Sequence, residues 1–300
     1  MSEETTVRIG IGLPSAVPGA TPETIGAWAA QGERAGFATL GATDRLVYDS
    51  LDPLVTLAVA AAHTTTAELV STVLNIGYRG NPFVVAGQIA SLDRLADGRF
   101  TAGLGMGAWP DDYAVSDMAM TTRGARFESA LAQMRRAWRG ELAGAAGPVP
   151  ALAPGRPQVL LAGLVPAGIV RAATLADGWV APAFSVDLLR TGLDIVGTEW
   201  ARLARPGRPR VLAVRYFRLG TDASAAARSY ARNYYGPEMF EQVRPDLLTD
   251  VAHLCDEVDR IAEAGADDLI LLPCSEDPAQ IHLLADALGS ARLAAPAVAR

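Results

Sequence analysis

No lysine occurs in the 300 residues, so all 26 basic side chains are arginine. This excludes Schiff-base aldolases, pyridoxal-phosphate enzymes and P-loop nucleotidases, which depend on a lysine that a permanently charged guanidinium cannot replace. Cysteine is almost as scarce. Cys255 and Cys274 are far apart and belong to no CxxC or Cys/His cluster, which argues against a disulfide framework and a zinc site and fits a reducing cytoplasm. The three histidines, His63, His253 and His282, fall in helical segments and none follows a strand, so they read as structural. No apolar run approaches the roughly 18 residues that span a bilayer, and the start MSEETTVRIG lacks a basic region followed by an apolar one. A cytoplasmic protein without a membrane partner is expected. The net charge of -7 argues against a concentrated cationic face, so nucleic acid is not expected as a partner either.

Half the residues are hydrophobic and a fifth are charged, enough to bury a large core. Short apolar runs alternate with helix-like segments to the end of the chain, the pattern of a parallel sheet. The candidate strands are Val7 to Leu13, Phe37 to Gly41, Glu68 to Asn75, Phe100 to Leu104, Gln158 to Ala162, Trp179 to Ala181, Arg210 to Arg218 and Asp268 to Leu272. Eight strands predict a (β/α)8 TIM barrel, with residues 1–300 forming one domain. Thr21-Pro22, Asp52-Pro53, Asn81-Pro82 and Asp277-Pro278 each pair a capping side chain with proline at a helix start. The Gly/Ala/Pro-rich segment Arg139 to Pro157 could divide two domains. An interrupted single barrel is preferred, because neither half alone could close its sheet. Leu219 to Asp267 is far longer than a βα loop requires, so this extended segment between strands seven and eight predicts an extra helix near the mouth carrying Tyr230, Tyr234, Tyr235 and Phe240.

A barrel of this kind reacts at the C-terminal ends of its strands. Asp44 and Arg45 follow strand two, Asn75 to Pro82 follow strand three, and Gly105, Met106, Gly107, Ala108 and Trp109 follow strand four. The run Gly103 to Gly107 is not a Rossmann fingerprint, since Trp109-Pro110-Asp111-Asp112 comes next and the following helix is expected about ten residues on. It is either a close approach to a ligand or a tight barrel turn. Gly163, Leu164 and Val165 lead towards a helix over Ile169 to Ala176, whose free amides could hold a phosphate, with Arg171 one turn inside; an unoccupied loop is the alternative. Asp111 and Asp112 lie beyond strand four, and Asp112 is a candidate catalytic acid. Asp256, Glu257 and Asp259 read as a solvated helix face. Asn75 ends a buried strand, where its amide needs a partner: the edge of a ligand or loop backbone.

Thr72 to Trp109, TVLNIGYRGNPFVVAGQIASLDRLADGRFTAGLGMGAW, resembles the luciferase-like flavin-dependent oxidoreductases in its third and fourth units. Ser91 to Leu95 and Asp97-Gly98-Arg99 match that family's "LDRL…GR" run. Arg123 to Trp138, and Arg156-Pro157 with Ala172-Ala173 and Asp177-Gly178-Trp179, continue the resemblance in order along the chain. It implies reduced flavin mononucleotide or the deazaflavin F420, with the ring across the barrel mouth. Leu74, Asn75 and Ile76 would back the ring, often with a non-proline cis peptide. Gly105, Met106, Gly107 and the loop Gly163, Leu164, Val165 would line the tail and phosphate.

One departure stands out: the family commonly has Asp-His after strand two, whereas this chain has Asp44-Arg45. Arginine is a poor proton shuttle but a fixed positive charge, so Arg45, Asn75 and Asp112 are the catalytic candidates, with Asp44 orienting Arg45 and binding cofactor; the alternative is that Arg45 points outward and pairs with Asp44 or Asp49 at the rim. Compared with many members the segment Arg139 to Arg156 is short, which implies a more open site. The expected activity is an FMNH2-dependent monooxygenase acting on a small, apolar substrate and supplied by a separate flavin reductase. The alternatives are an F420-dependent dehydrogenase or reductase, and a flavin-binding protein without turnover. The apolar runs VTLAVAAA and PFVVAGQIA, in the second and third helices, predict a homodimer.

Overall fold

In the computed structural model, which describes residues 6–293, eight strands alternate with helices along the chain. The strands are β1 Arg8–Gly12, β2 Thr39–Ala42, β3 Glu68–Ser71, β4 Phe100–Gly105, β5 Gln158–Ala162, β6 Gly178–Ala181, β7 Arg210–Phe217 and β8 Asp268–Pro273. After a two-residue break β3 resumes at Leu74–Asn75, still paired to β4. All neighbours are parallel, and the pairs β1 with β8 and β3 with β4 close the sheet into an eight-stranded barrel. The helices are α1 Pro22–Arg34, α2 Pro53–His63, α3 Pro82–Leu95, α4 Pro110–Val115, α5 Arg123–Trp138, α6 Pro166–Leu175, α7 Val186–Arg202, α8 Ala223–Val243, α9 Val251–Ala264 and α10 Ala279–Leu293.

The expected caps are in place. Thr21, Asp52 and Asn81 accept from the first-turn amides of α1, α2 and α3, each opening on proline, and Asp277 accepts from the Ala279 amide at 2.9 Å. The extra length after β7 becomes α8, kinked at Gly236 (φ 74°) before Pro237, and its tyrosines lie over the mouth.

Three sequence expectations are corrected. A short helix, α4, begins directly at Pro110 rather than about ten residues later. The segment after α5 is a tight hairpin, Ala143–Gly144 with Gly147–Pro148, at the end of the barrel opposite the mouth; there Arg156 pairs with Asp93 at the foot of α3 (2.6 Å). An αβ loop must lie at that end, so its shortness cannot open the site. Glu257 is not solvated. Its position on α9 faces the sheet, where it is 3% exposed and accepts from Arg215 Nε at 2.7 Å.

Two apolar layers flank the sheet. Strand residues such as Leu69 and Leu74 face the helices, whereas Val70, Leu160, Leu212 and Ile270 fill the barrel axis, as the period of two requires. Below that axial layer the barrel is closed by ions. Arg210 donates to Glu68 (2.6 and 2.7 Å), to Asp268 (2.6 Å) and to Gln158 (2.6 Å), while Thr101 donates to Glu68 at 2.5 Å. Burial alone would raise the Glu68 pKa, but the Arg210 guanidinium and the Thr101 hydroxyl hold it at about 2. Unfolded Glu titrates near 4.3, so this carboxylate stabilises the fold above that pH and the contribution is lost as pH falls towards 2. Glu68→Gln is therefore expected to lose about 3 kcal/mol at pH 7 by urea denaturation. The gap from wild type should narrow when the measurement is repeated at pH 3; an equal gap at both pH values would refute the assignment.

Candidate active site

A cavity of about 310 Å³ opens at the C-terminal ends of the strands. One wall is made by β3 and β4. Where β3 breaks, Val73 and Asn75 turn inward, and the Thr72–Val73 peptide is cis. A Cβ at Gly105 would meet Val73 Cγ2 at 2.7 Å and Asn75 Oδ1 at 2.8 Å, so only glycine leaves this wall flat. Gly107, at φ 86°, turns the chain out of the strand towards Trp109. The facing wall comes from β6 and β7, with Val180, Phe184, Val214 and Tyr216, and the roof is Tyr234, Tyr235 and Met239 of α8.

Asp44 lines the cavity and is almost fully buried. Its Oδ2 accepts from the Asn75 amide (2.8 Å), the Tyr78 hydroxyl (3.3 Å) and Arg79 Nη2 (3.2 Å). Burial raises its pKa, and the opposing pull of Arg79 does not cancel the effect. Arg79, not Arg45, is thus the partner of Asp44, which corrects the expected Asp44–Arg45 bond. The Asn75 side-chain amide donates to the Asp44 carbonyl at 3.1 Å, so loop backbone supplies the partner that its position demanded.

Arg45 does not line the cavity. Its guanidinium lies 3.9 Å from the Trp109 ring centroid and 5.4 Å from that of Tyr234, donates to the Tyr234 carbonyl and pairs with Asp111 at 3.2 Å. It clamps the roof from behind. Asp112 is also outside the cavity: it is fully buried, with Oδ1 accepting from the Val47 amide at 2.7 Å, and so ties α4 to the loop after β2. Leu74 and Ile76 point into the helix layer because they alternate with Asn75.

Gly105, Met106, Gly107, Gly163 and Leu164 do border the cavity, while Val165 is exposed beyond it. Gly163 packs so closely on α6 that a Cβ would lie 2.6 Å from the Gly168 carbonyl carbon. The first turn of α6 has no side-chain cap, but Arg171 is directed away to Glu128 at 2.7 Å. Sequence reading missed Val73 and Tyr216, both recoverable from strand alternation with Asn75 and Val214. It also missed the β6 end, Val180 to Phe184, which carries no distinctive motif.

The family profile described as luciferase-like monooxygenase matches residues 6–280. The chain belongs to this family. Among curated proteins it is 28% identical over 176 residues to Rv0953c of Mycobacterium tuberculosis (strain H37Rv), described as uncharacterised; the match covers 55% of this chain and 61% of that protein. Among solved structures it resembles the monooxygenase RslO1 from Streptomyces bottropensis, with a TM-score of 0.77 at 20% identity. It also resembles an F420-dependent secondary alcohol dehydrogenase in complex with an F420-acetone adduct, with a TM-score of 0.78 at 18% identity. Both alignments cover 94% of this chain and 98% of the other. At these identities the likeness is one of fold.

In this luciferase-like barrel Arg45 joins Trp109, Asp111 and α8, and it is the charged member of a roof contact that also includes Trp109 packed on Tyr234 and Tyr235 and the Asn233–Tyr48 hydrogen bond at 3.0 Å. Removing its charge while keeping its length should free α8 without opening the barrel. Arg45→Gln is expected to lower stability by about 1 to 2 kcal/mol, from the lost cation–π contact and ion pair. Amide exchange should quicken in α8 while the strands stay protected. Unchanged exchange in α8 would show that Arg45 does not hold the roof.

Proposed function

We propose that the protein is a flavin-dependent oxidoreductase of the monooxygenase type, using reduced FMN from a separate flavin reductase to oxygenate a small organic substrate. The observation that carries this reading is the cavity itself. Asp44 is the one charged side chain among its described lining residues, most of its other lining residues are apolar or aromatic apart from Thr43, Thr72 and Asn75, and α8 roofs it. Such a site excludes water from a reactive centre, as oxygen activation requires. A planar ring fits the flat wall that Gly105 leaves, and the uncapped start of α6 beside Gly163 suits a phosphate.

Bound reduced flavin would supply the electrons that activate oxygen. The residues present do the rest. Val73 and Asn75 back the ring, the Gly105–Gly107 and Gly163–Leu164 backbone lines its tail, and the roof keeps solvent away. Asp44, buried and with its pKa raised, takes up a proton more readily than an exposed carboxylate does. Arg45 and Asp112 act from behind the walls as positioning residues.

One observation favours a second reading, an F420-dependent dehydrogenase or reductase. Asp44 is a carboxyl group at the cavity whose raised pKa suits proton exchange with an alcohol or ketone, in place of the missing histidine. Anaerobic titration of the purified protein with FMN, FMNH2 and F420 separates the readings. FMNH2 should saturate in the micromolar range or below. Saturation by F420 alone would establish the second reading and overturn the first, and oxidised FMN retained without turnover would point to a flavin-binding protein. Gly105→Ala should weaken binding of the preferred cofactor at least about tenfold and also lower the melting temperature, because its Cβ stands on the flat wall and presses on Val73 and Asn75; wild-type cofactor affinity in this variant would refute the flat-wall assignment.

The protein is further proposed to be a homodimer through α2 and α3. These helices pack side by side and leave Val55 64% and Val84 55% exposed on an outer face with little charge. Light scattering at tens of micromolar should give twice the 31.4 kDa chain mass, and Val55→Glu with Val84→Glu should halve it. A wild-type monomer would refute the interface.

A further inference from the structure

Building on the flavin-enzyme reading, we infer that Tyr216 and Tyr235 form the substrate-recognition element of the mouth, selecting a neutral, largely apolar molecule that bears one acceptor oxygen, as in a ketone or ester. The barrel order places β7 across the axis from β3, so Tyr216 faces the wall formed by Val73, Asn75 and Gly105 from the opposite side. A molecule between them would lie against the proposed ring with its polar end at the tyrosines.

The hydrogen-bond inventory of the pair fixes what it can accept. The Tyr235 and Tyr216 hydroxyls lie 3.0 Å apart and share one hydrogen bond, in which either can be the donor. Two hydroxyls sharing one bond leave one proton of the pair uncommitted, and the Tyr216 side chain makes no other hydrogen bond among the described residues. Its position is not free to adapt, because the ring meets Tyr235 edge-on at 5.8 Å and also touches Tyr230 at 5.9 Å and Tyr234 at 6.4 Å. Burial pushes the Tyr216 hydroxyl well above the ordinary phenol range, so it stays a donor at neutral pH. The pair thus offers a preorganised donor to the cavity, strengthened by the bond between its two hydroxyls.

Charge on the walls removes other ligand classes. Among the described residues no cationic side chain lines the cavity, the nearby Arg45 is already held by Asp111 and the Tyr234 carbonyl, and the buried carboxyl of Asp44 stands on the far side. A carboxylate entering would lose its hydration without gaining a counter-charge. The remaining contacts, from Val180, Phe184, Val214, Met239 and Leu272, suit hydrocarbon or an aromatic ring.

Acetophenone, benzoate and ethylbenzene have similar shapes and differ in the group presented to Tyr216. In calorimetric or NMR titrations of the full chain, acetophenone should bind at least about tenfold more tightly than either of the others. Tyr216→Phe should remove that advantage and leave ethylbenzene unchanged. Tyr235→Phe should reduce it by only about threefold, since it removes the partner hydroxyl and leaves the recognising one. Acetophenone bound as tightly by Tyr216→Phe as by wild type, benzoate bound as tightly as acetophenone, or no probe bound by the wild-type protein would each overturn the inference. Melting curves of both variants check folding. Cofactor titrations on the same samples keep the two claims apart: cofactor binding without ketone selectivity sinks this inference alone, and ketone selectivity without cofactor binding sinks the flavin reading alone.

Discussion

The close approach of β3 to β4 is the constraint from which the rest of the mouth follows. Closing the barrel brings Ser71 so near to Gly103 that a Cβ there would lie 2.0 Å from the Ser71 carbonyl oxygen, and the Ser71 hydroxyl bonds the Gly103 carbonyl at 2.8 Å. Two residues later the same crowding recurs between Val73 and Gly105. The glycines of GLGMG are thus demanded first by strand packing. The flat wall they leave is a consequence, and it is available to a ligand because no side chain can occupy it. The break in β3 sets the alternation beyond it, sending Val73 and Asn75 inward and Leu74 into the helix layer.

From that wall the organisation spreads to the adjacent pair Asp44 and Arg45, which diverge. Asp44 turns to the β3 side, where the Asn75 amide and Arg79 hold its carboxylate, and Arg45 turns to the roof, where two aromatic faces and Asp111 hold its guanidinium. Direct pairing of the two would have left Asn75 without its acceptor and α8 without its clamp. Arginine at this position therefore trades proton transfer for rigidity. Among the described residues the cavity keeps a single carboxyl group, Asp44, and the chemistry it supports is set by apolar shape and by hydroxyl donors on the β7 side.

Much of the fold was legible in the sequence because it rests on local rules. Eight apolar runs, and the pairs Thr21-Pro22, Asp52-Pro53 and Asn81-Pro82, fix where strands and helices begin whatever the tertiary context. The site was legible only as far as strand ends could be named. Gly105, Gly107 and Gly163 border the cavity as expected, but the inward or outward sense of Leu74, Asn75 and Ile76 depends on a strand break that no pattern announces. Asp112 and Arg45 illustrate a second limit. Both follow strands, yet which way a loop residue points is decided by partners distant in sequence, Val47 for one and Tyr234 for the other. Glu257 failed for a related reason: a carboxylate beside two others on an amphipathic helix looks solvated until Arg215 is found facing it from β7.

The absence of lysine has a structural counterpart. Arg210 uses Nε and both terminal nitrogens to engage Glu68, Thr101, Gln158 and Asp268 together, a planar fan of donors that an ammonium group cannot supply. Elsewhere the same geometry closes helix ends. Arg205 reaches the carbonyls of Ala173 and Ala176 at 2.6 Å each, and Arg99 reaches those of Thr64 and Ala67, so the C-terminal ends of α6 and α2 receive charge and hydrogen bonds from one group. These cations keep their charge at every accessible pH, whereas their carboxylate partners do not. The electrostatic framework is consequently vulnerable from the acid side, and carboxylates such as Glu68 and Glu33 keep their charge furthest down in pH. Glu33 is also held at about 2: burial raises it, but three backbone amides, Thr65, Thr66 and Ala67, lower it further. Because the Glu33 bonds tie α1 to the loop entering β3, protonation there loosens the approach to the strand on which the flat wall depends.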